Sequence, residues 1–378
     1  PGKRHNPLAQ TRVTQLGPLP VGNSNSSYRV GDYKCRQEPP YFTSILHPSK
    51  YFYYPIDAIT TYYAYANRHK PVHLPEYDGR KVQGLYRHIR KFRDSTVRAW
   101  THLEYCNSMD PPSKRNRYLS ELQDLELGRR PSNRVCPFTK IEKMKTTSYK
   151  PSRLIQGRKM GWNIYVGSKI KPLEKKVCHG RHKHCFGKGD YDEIGRRIYK
   201  SASKYTHYTE LDHVCFDAHV TVDMLRVCHT FYAACYRHDP ELRKLCKQML
   251  TNRCRSRKGD RYTVRGTRMS GDVDTSFGNS LINYAILKQM LHELNLEGEV
   301  IVNGDDSILF TNAPIDRDRA IAILATMNME TKIKPTVTDI HKVEFCRCKL
   351  IINNLGNPTM MIDPERIEDI YGMTHKQV

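Results

Sequence analysis

The most constraining feature of this sequence is a pair of adjacent aspartates between two short apolar runs. Val300–Val302 and Ile308–Phe310 have the composition of buried strands, and the stretch between them contains Asn303-Gly304-Asp305-Asp306. Asn-Gly and Gly-Asp supply the positive φ that a tight hairpin turn needs. The pattern predicts a hairpin with two carboxylates at its tip, where their repulsion is costly unless a cation lies nearby. Taken alone, the turn is equally compatible with a surface hairpin and a metal site.

A second strand-like segment carries two further carboxylates. Asp212 lies near the start of the run 210–220, and Asp217 follows five residues later. A strand placed beside the hairpin would bring Asp212 close to Asp305 and Asp306. Such a set of oxygen ligands suits Mg²⁺ or Mn²⁺. Two such ions can activate an attacking hydroxyl and stabilise the leaving oxygen in an in-line phosphoryl displacement.

The segment between these two strand regions predicts a helix. It opens on Ser270-Gly271, and Ile282, Ile286 and Met290 recur at helical spacing on one face. The predicted order along the chain is strand, helix, strand and strand, with carboxylates at strand ends. This order predicts a layered α/β (α+β) fold and not a helical bundle.

Five segments in the same order resemble the viral RNA-dependent RNA polymerases, and the tombusvirus-like group of positive-strand RNA viruses most closely. They are the basic stretch from Arg153 to Glu174, the pair Asp212 and Asp217, the series Ser270-Gly271, Thr275 and Asn279, the triplet Gly304-Asp305-Asp306, and Val343–Arg347. The resemblance covers roughly residues 150–350. It implies a right-hand fingers–palm–thumb fold, template-directed RNA synthesis with two Mg²⁺ or Mn²⁺ ions, and replication of a viral RNA genome.

The resemblance also implies a role for each matched residue. Asp212, Asp305 and Asp306 would be the catalytic metal ligands, although an indirect or turn role stays open for Asp306. The other implied roles are ribose and nucleotide recognition by Asp217, Ser270, Gly271, Thr275 and Asn279, triphosphate binding by Arg153, Arg158 and Lys169, and support of the nascent strand by Phe345, Cys346 and Arg347. Lys332 and Lys334 are alternative general acids for the leaving pyrophosphate.

The same resemblance suggests domain boundaries. Residues 51–204 would form the fingers, 205–345 the palm with a fingers insertion near 228–268, and 346–378 the start of the thumb. Because only 31 residues follow Arg347, the thumb is expected to be short or truncated. Residues 1–50 are rich in Pro, Gly, Ser and Asn, which predicts an extended N-terminal arm.

Local patterns predict further elements. The aromatic stretch 51–69 predicts a helix packed on a core, and 81–128 predicts helical segments separated by Pro111-Pro112. Residues 151–200 carry 13 Lys/Arg against 4 Asp/Glu, and their interleaved apolar residues were expected to form basic strands. The Cys/His cluster from Cys178 to Cys185 matches no standard zinc spacing, so zinc is not expected.

The net charge of +23 predicts a polyanionic partner, here template RNA, nascent RNA and NTP substrates. The 12 scattered cysteines indicate a reducing compartment. No apolar run is long enough for a transmembrane helix. The resemblance therefore implies the host cytoplasm and a membrane-associated replication complex, reached through a further segment or a partner such as a viral auxiliary replication protein.

Two other functional classes compete with a polymerase. A basic RNA-binding or packaging protein explains the charge and the polar arm, but not the carboxylates at strand ends combined with the Thr275 and Asn279 helix. A reverse transcriptase generally has an aromatic residue before x-Asp-Asp and lacks the Thr and Asn pair, so Gly304 and Asn279 argue against it.

Overall fold

The computed structural model describes residues 3–4, 41–69 and 73–375, so most of the predicted N-terminal arm lies outside the described residues. The strands are β1 Lys3–Arg4, β2 Tyr41–Phe42, β3 Tyr51–Tyr53, β4 Val135–Thr139, β5 Lys143–Lys145, β6 Leu154–Arg158, β7 His207–His213, β8 Thr251–Arg255, β9 Arg261–Arg265, β10 Gly298–Asn303, β11 Asp306–Thr311, β12 Thr331–Ile333, β13 Glu344–Phe345, β14 Cys348–Ile352 and β15 Pro358–Ile362.

Helices connect and cover these strands. They are α1 Ala58–His69, α2 Gly79–Gln83, α3 Tyr86–Ile89, α4 His102–Asn107, α5 Pro112–Glu126, α6 Met160–Cys178, α7 Tyr191–Ala202, α8 Phe216–His219, α9 Val222–Cys235, α10 Pro240–Gln248, α11 Thr275–Glu293, α12 Arg317–Thr326 and α13 Pro364–Ile370, with short 3₁₀ turns at Arg90–Phe92, Lys183–Cys185 and Ile340–Lys342. None of the described helices is long and apolar enough to cross a bilayer.

A four-stranded antiparallel sheet in the order β10-β11-β7-β12 forms the central sheet of the molecule. Strands β10 and β11 pair from Gly298 opposite Thr311 to Asn303 opposite Asp306. This is the predicted hairpin, with the two aspartates at its tip. The order β7, α11, β10, β11 along the chain confirms the predicted α/β layering.

The two faces of the central sheet pack against different helices, because alternate side chains of a strand point to opposite faces. Val300, Val302 and Leu309 join α9, α11 and α12 in the largest core cluster. Ile301 and Ile308 face the other way and join α7 and the β13-β14-β15 sheet in a second cluster. The turn that carries the two aspartates therefore projects from a sheet that is covered on both faces.

A second four-stranded sheet has the order β6-β4-β8-β9. Its strands are antiparallel except for β4 and β8, which are parallel. Ala64 and Tyr65 of α1 pack into its core beside Val135 and Leu154. The prediction that aromatic residues of 51–69 pack a helix on a core is confirmed for Tyr65.

Two predictions about the first half of the chain have different outcomes. Helices do occupy 81–128, with Pro112 in the first turn of α5, although α4 was not foreseen. The basic strands expected throughout 151–200 are wrong beyond β6, since α6 and α7 occupy most of that stretch. The apolar residues of α6 recur every three or four positions and lie in the main core, namely Trp162, Val166, Ile170, Leu173 and Val177. That period belongs to a helix.

Candidate active site

The turn that carries the two aspartates is held in place by α11. Gly304 has a φ of +60°, which glycine adopts without strain. Its N–H donates to Ser280 Oγ at 2.8 Å, and its carbonyl accepts from Asn283 Nδ2 at 3.2 Å. Asn283 Oδ1 lies 2.9 Å from Nε2 of the buried His213 on β7. Helix α11 therefore connects the turn to the neighbouring strand.

Strand register brings Asp212 beside the turn. Ile308 of β11 lies opposite Glu210 of β7, so continuing this antiparallel pairing by two residues sets Asp306 opposite Asp212. Directly opposed residues of an antiparallel pair project from the same face, with Cβ atoms about 5 Å apart. The two predicted metal-binding segments therefore meet where the neighbouring strands β11 and β7 lie side by side, at one end of the central sheet.

The electrostatics of Asp305 reflect this convergence. Its carboxylate opens into a cavity, yet the surrounding protein walls limit its hydration. This burial, reinforced by the negative charges of Asp306, Asp217 and Asp212, raises the pKa of Asp305 to about 6. Burial likewise raises the pKa of Asp306, although a hydrogen bond with Cys346 opposes the rise. Mutual repulsion of this kind is relieved when a cation binds.

The cavity in front of the aspartates has a volume of about 810 Å³. Its lining includes Asp305 and Asp306 from the turn, Asp217 from α8, and Asn279 from α11. Asn279 Nδ2 donates to Asp217 Oδ1 at 2.7 Å, and the Asn279 Oδ1 atom accepts from Arg268 Nε at 2.9 Å. The pair thus presents polar side chains in a fixed orientation to the cavity.

Buried groups behind this pair fix its orientation. The Arg268 guanidinium lies 2.8 Å from Asp274 Oδ2, and Tyr232 Oη donates to the same oxygen at 3.0 Å. The side chains of Arg268 and Asp274 are buried, and the arginine charge helps to hold the pKa of Asp274 below its usual range. Removing one partner of a buried ion pair is costly, so this pair fixes the orientation of the Asn279 side chain through Arg268.

The loop before α11 is hydrogen-bonded to β6. Ser270 Oγ donates to the Leu154 carbonyl and accepts from Gln156 N–H, both at 3.1 Å. Gly271 N–H donates to the Gln156 carbonyl at 3.1 Å, and a Cβ at 271 would lie 2.6 Å from Gly157 Cα. Only glycine fits there. Thr275 Oγ1 donates to the Met269 carbonyl at 2.8 Å, so Thr275 closes this loop from the helix side.

Comparison with known proteins identifies the family. A family model described as viral RNA-dependent RNA polymerase matches residues 62–375, which is most of the chain. The chain belongs to this viral RNA-dependent RNA polymerase family. The matched range contains the turn with Asp305 and Asp306, both Asp212 and Asp217, and the loop and helix that face them.

Curated RNA-directed RNA polymerases of several plant viruses resemble this polymerase-family chain. That of groundnut rosette virus is 32% identical over 257 residues, 63% of this chain and 30% of the relative. That of turnip crinkle virus is 33% identical over 252 residues, 63% of this chain and 32% of the relative. That of tobacco necrosis virus is 27% identical over 305 residues, 74% of this chain and 42% of the relative. The chain thus spans between about a third and two fifths of these relatives.

The sequence suggested three basic residues for triphosphate binding, and the structure places them differently. Arg153 lines the cavity, where its Nε lies 2.9 Å from both carboxylate oxygens of Glu142. Arg158 is buried, its Nε lies 2.7 Å from Asp272 Oδ1, and it is not in the cavity lining. Lys169 Nζ lies 2.8 Å from Asp239 Oδ2, also outside the cavity lining, so the structure brings only Arg153 of the three to the cavity.

The segment expected to support the nascent strand forms a hairpin beside the turn that carries Asp305 and Asp306. Phe345 is buried against Gly187, while Cys346 and Arg347 occupy the turn between β13 and β14 with φ values of 50° and 64°. Asn303 Nδ2 lies 3.5 Å from Cys346 Sγ. The hairpin therefore contacts the aspartate turn directly.

The two candidate general acids differ in their partners. Lys332 on β12 lies opposite Asp212, so their side chains project from the same face at the active-site edge. Lys334 Nζ lies 2.6 Å from Glu210 Oε2. Lys332 is therefore the lysine that strand pairing places opposite Asp212.

Sequence reasoning missed several residues that organise the site. Ser280 and Asn283 hold the turn, and the buried Gln156 bonds both Arg68 and Tyr262 behind β6. Asn283 was detectable, because it follows Asn279 by one helical turn within an otherwise apolar segment. The partners of Gln156 lie about 90 to 110 residues away in the chain, so local patterns carry no signal for them.

The carboxylates fit a divalent cation only in part. Within residues 41–69 and 73–375, no three His, Cys, Asp or Glu side chains are grouped closely enough to enclose an ion, and this includes the Cys178–Cys185 stretch. Mg²⁺, however, usually binds one or two carboxylates and takes its remaining ligands from water and substrate phosphates. The raised pKa of Asp305 and the adjacent Asp212 and Asp306 match such an open, oxygen-only site.

Proposed function

We propose that this chain carries out template-directed RNA synthesis as an RNA-directed RNA polymerase and thereby replicates a viral RNA genome. The observation that carries the proposal is the strand register that sets Asp306 opposite Asp212, with Asp305 next to Asp306 in a cavity that also presents the Asp217–Asn279 pair. A non-catalytic packaging protein would need a basic surface, but it would not need carboxylates held at unfavourable mutual distance. The packaging alternative is therefore not favoured.

In this proposal, each side chain has one task. Asp212 and Asp305 hold the metals, with Asp306 beside them. Two Mg²⁺ or Mn²⁺ ions would lower the pKa of the attacking 3′-hydroxyl and neutralise charge on the leaving pyrophosphate. Arg153 orients the triphosphate through its planar guanidinium, and Lys332 donates a proton to the leaving group. The chain supplies no covalent nucleophile, so positioning and charge stabilisation account for catalysis.

We further propose that the fold is the right-hand arrangement of fingers, palm and thumb. The central sheet with α11 would be the palm, the β6-β4-β8-β9 sheet would belong to the fingers, and the hairpin at Phe345–Arg347 would support the nascent 3′ end. Strands β8 and β9 lie within residues 228–268, where the sequence suggested a fingers insertion, and the pairing of β8 with β4 and of β9 with β8 supports that assignment.

The proposed partners are template RNA, nascent RNA and NTPs, in keeping with the net charge of +23. The proposed site of action is a membrane-associated replication complex in the host cytoplasm, with a viral auxiliary replication protein as a further partner. Neither the location nor this partner is needed for the catalytic proposal.

The decisive test is incorporation of labelled ribonucleotides on a homopolymer RNA template, with and without Mg²⁺ or Mn²⁺. We expect incorporation only with the metal, and none by an Asp305→Ala variant that still binds RNA. Asp318→Ala is the matched control, because Asp318 is exposed in the first turn of α12 and outside the cavity lining. Equal incorporation by the Asp305→Ala and Asp318→Ala proteins would refute the metal assignment.

A further inference from the structure

A second cavity lies between α7 and the loop that precedes it. Its volume is about 420 Å³, and among the described residues none lines both this cavity and the active-site cavity. The residues that line it are Arg181, Lys183, His184, Glu193, Arg196, Arg197, Lys200, Ser201 and Lys204. We call it the α7 basic cavity. The mechanism above does not use any of these side chains.

The positive charge of the α7 basic cavity is largely uncompensated. Lys204 Nζ pairs with Glu299 Oε1 at 3.0 Å, and Arg197 donates to the Phe186 carbonyl at 2.7 Å. For Lys183, Arg196 and Lys200, the described part of the chain provides no carboxylate within 4 Å. These three cations therefore remain available to an external anion.

Glu193, the acidic residue in the described lining, already has a hydrogen-bond partner within α7's N-terminal cap. Glu193 accepts a hydrogen bond of 3.0 Å from the N–H of Asp190 as part of the capping box that begins α7. Burial lowers the pKa of the His184 imidazole. The nearby Glu299 opposes this change, whereas the positive charges of Lys91, Lys204 and Lys200 lower the pKa further. The cavity thus has a net positive potential.

The cations are arranged in a line on a rigid support. Arg196, Lys200 and Lys204 follow one another at intervals of four residues, which places them on one side of α7 and just beyond its end. At about 1.5 Å per residue, this line extends roughly 12 Å. The opposite side of α7 is anchored by Ile194 and Ile198 in the core, so the line does not depend on a flexible loop.

We propose that the α7 basic cavity binds the sugar–phosphate backbone of a single RNA strand outside the active site. A line of separate cations suits successive phosphates, which position a strand without reading its sequence. The lining contains no Phe, Tyr or Trp on which a base could stack. A free nucleotide would therefore gain little beyond its phosphates, whereas a strand gains several contacts at once. This site goes beyond the proposed function, on which it rests only in taking RNA as its ligand.

The test measures RNA affinity at several salt concentrations, with a labelled single-stranded homopolymer RNA and no NTP or divalent metal. The variant Arg196→Ala/Lys200→Ala is compared with Arg243→Ala/Lys244→Ala, which removes the same charge from exposed positions of α10 outside both cavities. The slope of log affinity against log salt concentration should decrease in magnitude by about 1.4 in Arg196→Ala/Lys200→Ala, because each lost phosphate contact accounts for about 0.7. Lys183→Ala, on the other wall, should make it shallower by about 0.7.

Four results would overturn the proposal. The first is a salt slope equal to that of the wild type in both cavity variants, and the second is an equal reduction of the slope in the α10 control. The third is competition by tripolyphosphate as strong as that by unlabelled RNA. The fourth is that the cavity variants lose binding to anionic phospholipid vesicles but retain RNA binding. Because the assay contains no substrate or metal, an inactive polymerase still yields a result. Thermal unfolding midpoints equal to that of the wild type exclude a folding defect.

Discussion

The side chains of Asn279 and Asp217 are joined by a hydrogen bond of 2.7 Å, although 62 residues separate them in the chain. One belongs to the long helix α11 and the other to the short helix α8. The bond links two motifs that the sequence suggested independently for ribose recognition. Because Arg268 also donates to Asn279, the amide has one orientation, with its nitrogen toward the carboxylate.

This arrangement predicts how the sugar is selected. Asp217→Ala and Asn279→Ala should each reduce the preference for a ribonucleotide over its deoxyribonucleotide by about tenfold or more, because a 2′-hydroxyl is read by buried polar partners. Since the two side chains act as one unit, the double variant should lose little more than either single variant. The measurement is the ratio of kcat/KM for one base with ribose or deoxyribose.

The control for sugar selection is Asn312→Ala, which removes an exposed amide at the end of β11 and should leave the ratio unchanged. Independent roles would be indicated if the losses of the single variants multiplied in the double variant. If the two single variants and the double variant all keep the wild-type ratio, Asp217 and Asn279 do not recognise the ribose.

Glu142 should compete with the incoming nucleotide. It holds Arg153 through a bidentate contact in the absence of substrate, so a triphosphate must displace its carboxylate. Glu142→Gln should lower the KM for NTPs by roughly threefold, because the amide binds a guanidinium more weakly than a carboxylate does. Steady-state kinetics with Glu126→Gln, a charge-matched exposed change, provide the comparison. An increase in KM for Glu142→Gln would mean that this contact orients Arg153 productively.

Substitution of Lys332 and of Lys334 should have different effects on the rate. Lys332→Ala should lower kcat by about 100-fold, as expected for loss of a general acid. Lys334→Ala breaks an exposed ion pair with Glu210 and should change stability by less than about 1 kcal/mol. Each variant is the matched control for the other, because both alter one lysine on the same chain segment. The reverse pattern would assign the proton to Lys334.

Acid should destabilise the fold through buried histidines. Burial lowers the pKa of His229 to about 4, so the folded protein keeps it neutral while the unfolded chain binds a proton below about pH 6.5. The stabilising contribution is therefore present above pH 6.5 and is lost as pH falls toward 4. Between pH 7 and pH 5 the loss should be about 2 kcal/mol for this residue. Urea unfolding of wild type and His229→Phe at both pH values measures it.

His229→Phe should lose less stability than the wild type over this range. Part of the fall should remain, because burial also lowers the pKa of His213 to about 4 and that of His69 well below its usual value. The explanation fails if the two proteins have parallel pH profiles of stability.

What the sequence could predict depended on whether the partners were local. The aspartate hairpin followed from turn residues between apolar strands, and the face shared by Thr275 and Asn279 followed from helical spacing. The ion pairs of Arg158 and Lys169 could not be predicted in this way. Their partners Asp272 and Asp239 are distant in the chain, and only folding brings these carboxylates to them.

The misassigned region shows a different limit. In α6, charged residues interrupt the apolar ones so often that short windows look like alternating strands. The period of three to four residues emerges only over the full 19-residue length, together with the core that it packs against. A hydrophobic pattern in a highly basic segment is thus ambiguous until its length is taken into account.

The bonds from Ser270 and Gly271 to β6 have a mechanical consequence. The loop that precedes α11 contributes one wall of the cavity, and β6 follows directly after Arg153 on another. With three hydrogen bonds and a glycine contact too close for any Cβ, the two walls cannot slide past each other. If the cavity binds a nucleotide as proposed, we expect a ligand that pushes on the loop to shift the Arg153 guanidinium proposed to receive its phosphates. A poor fit of the sugar would then weaken the contacts with the triphosphate of the same nucleotide.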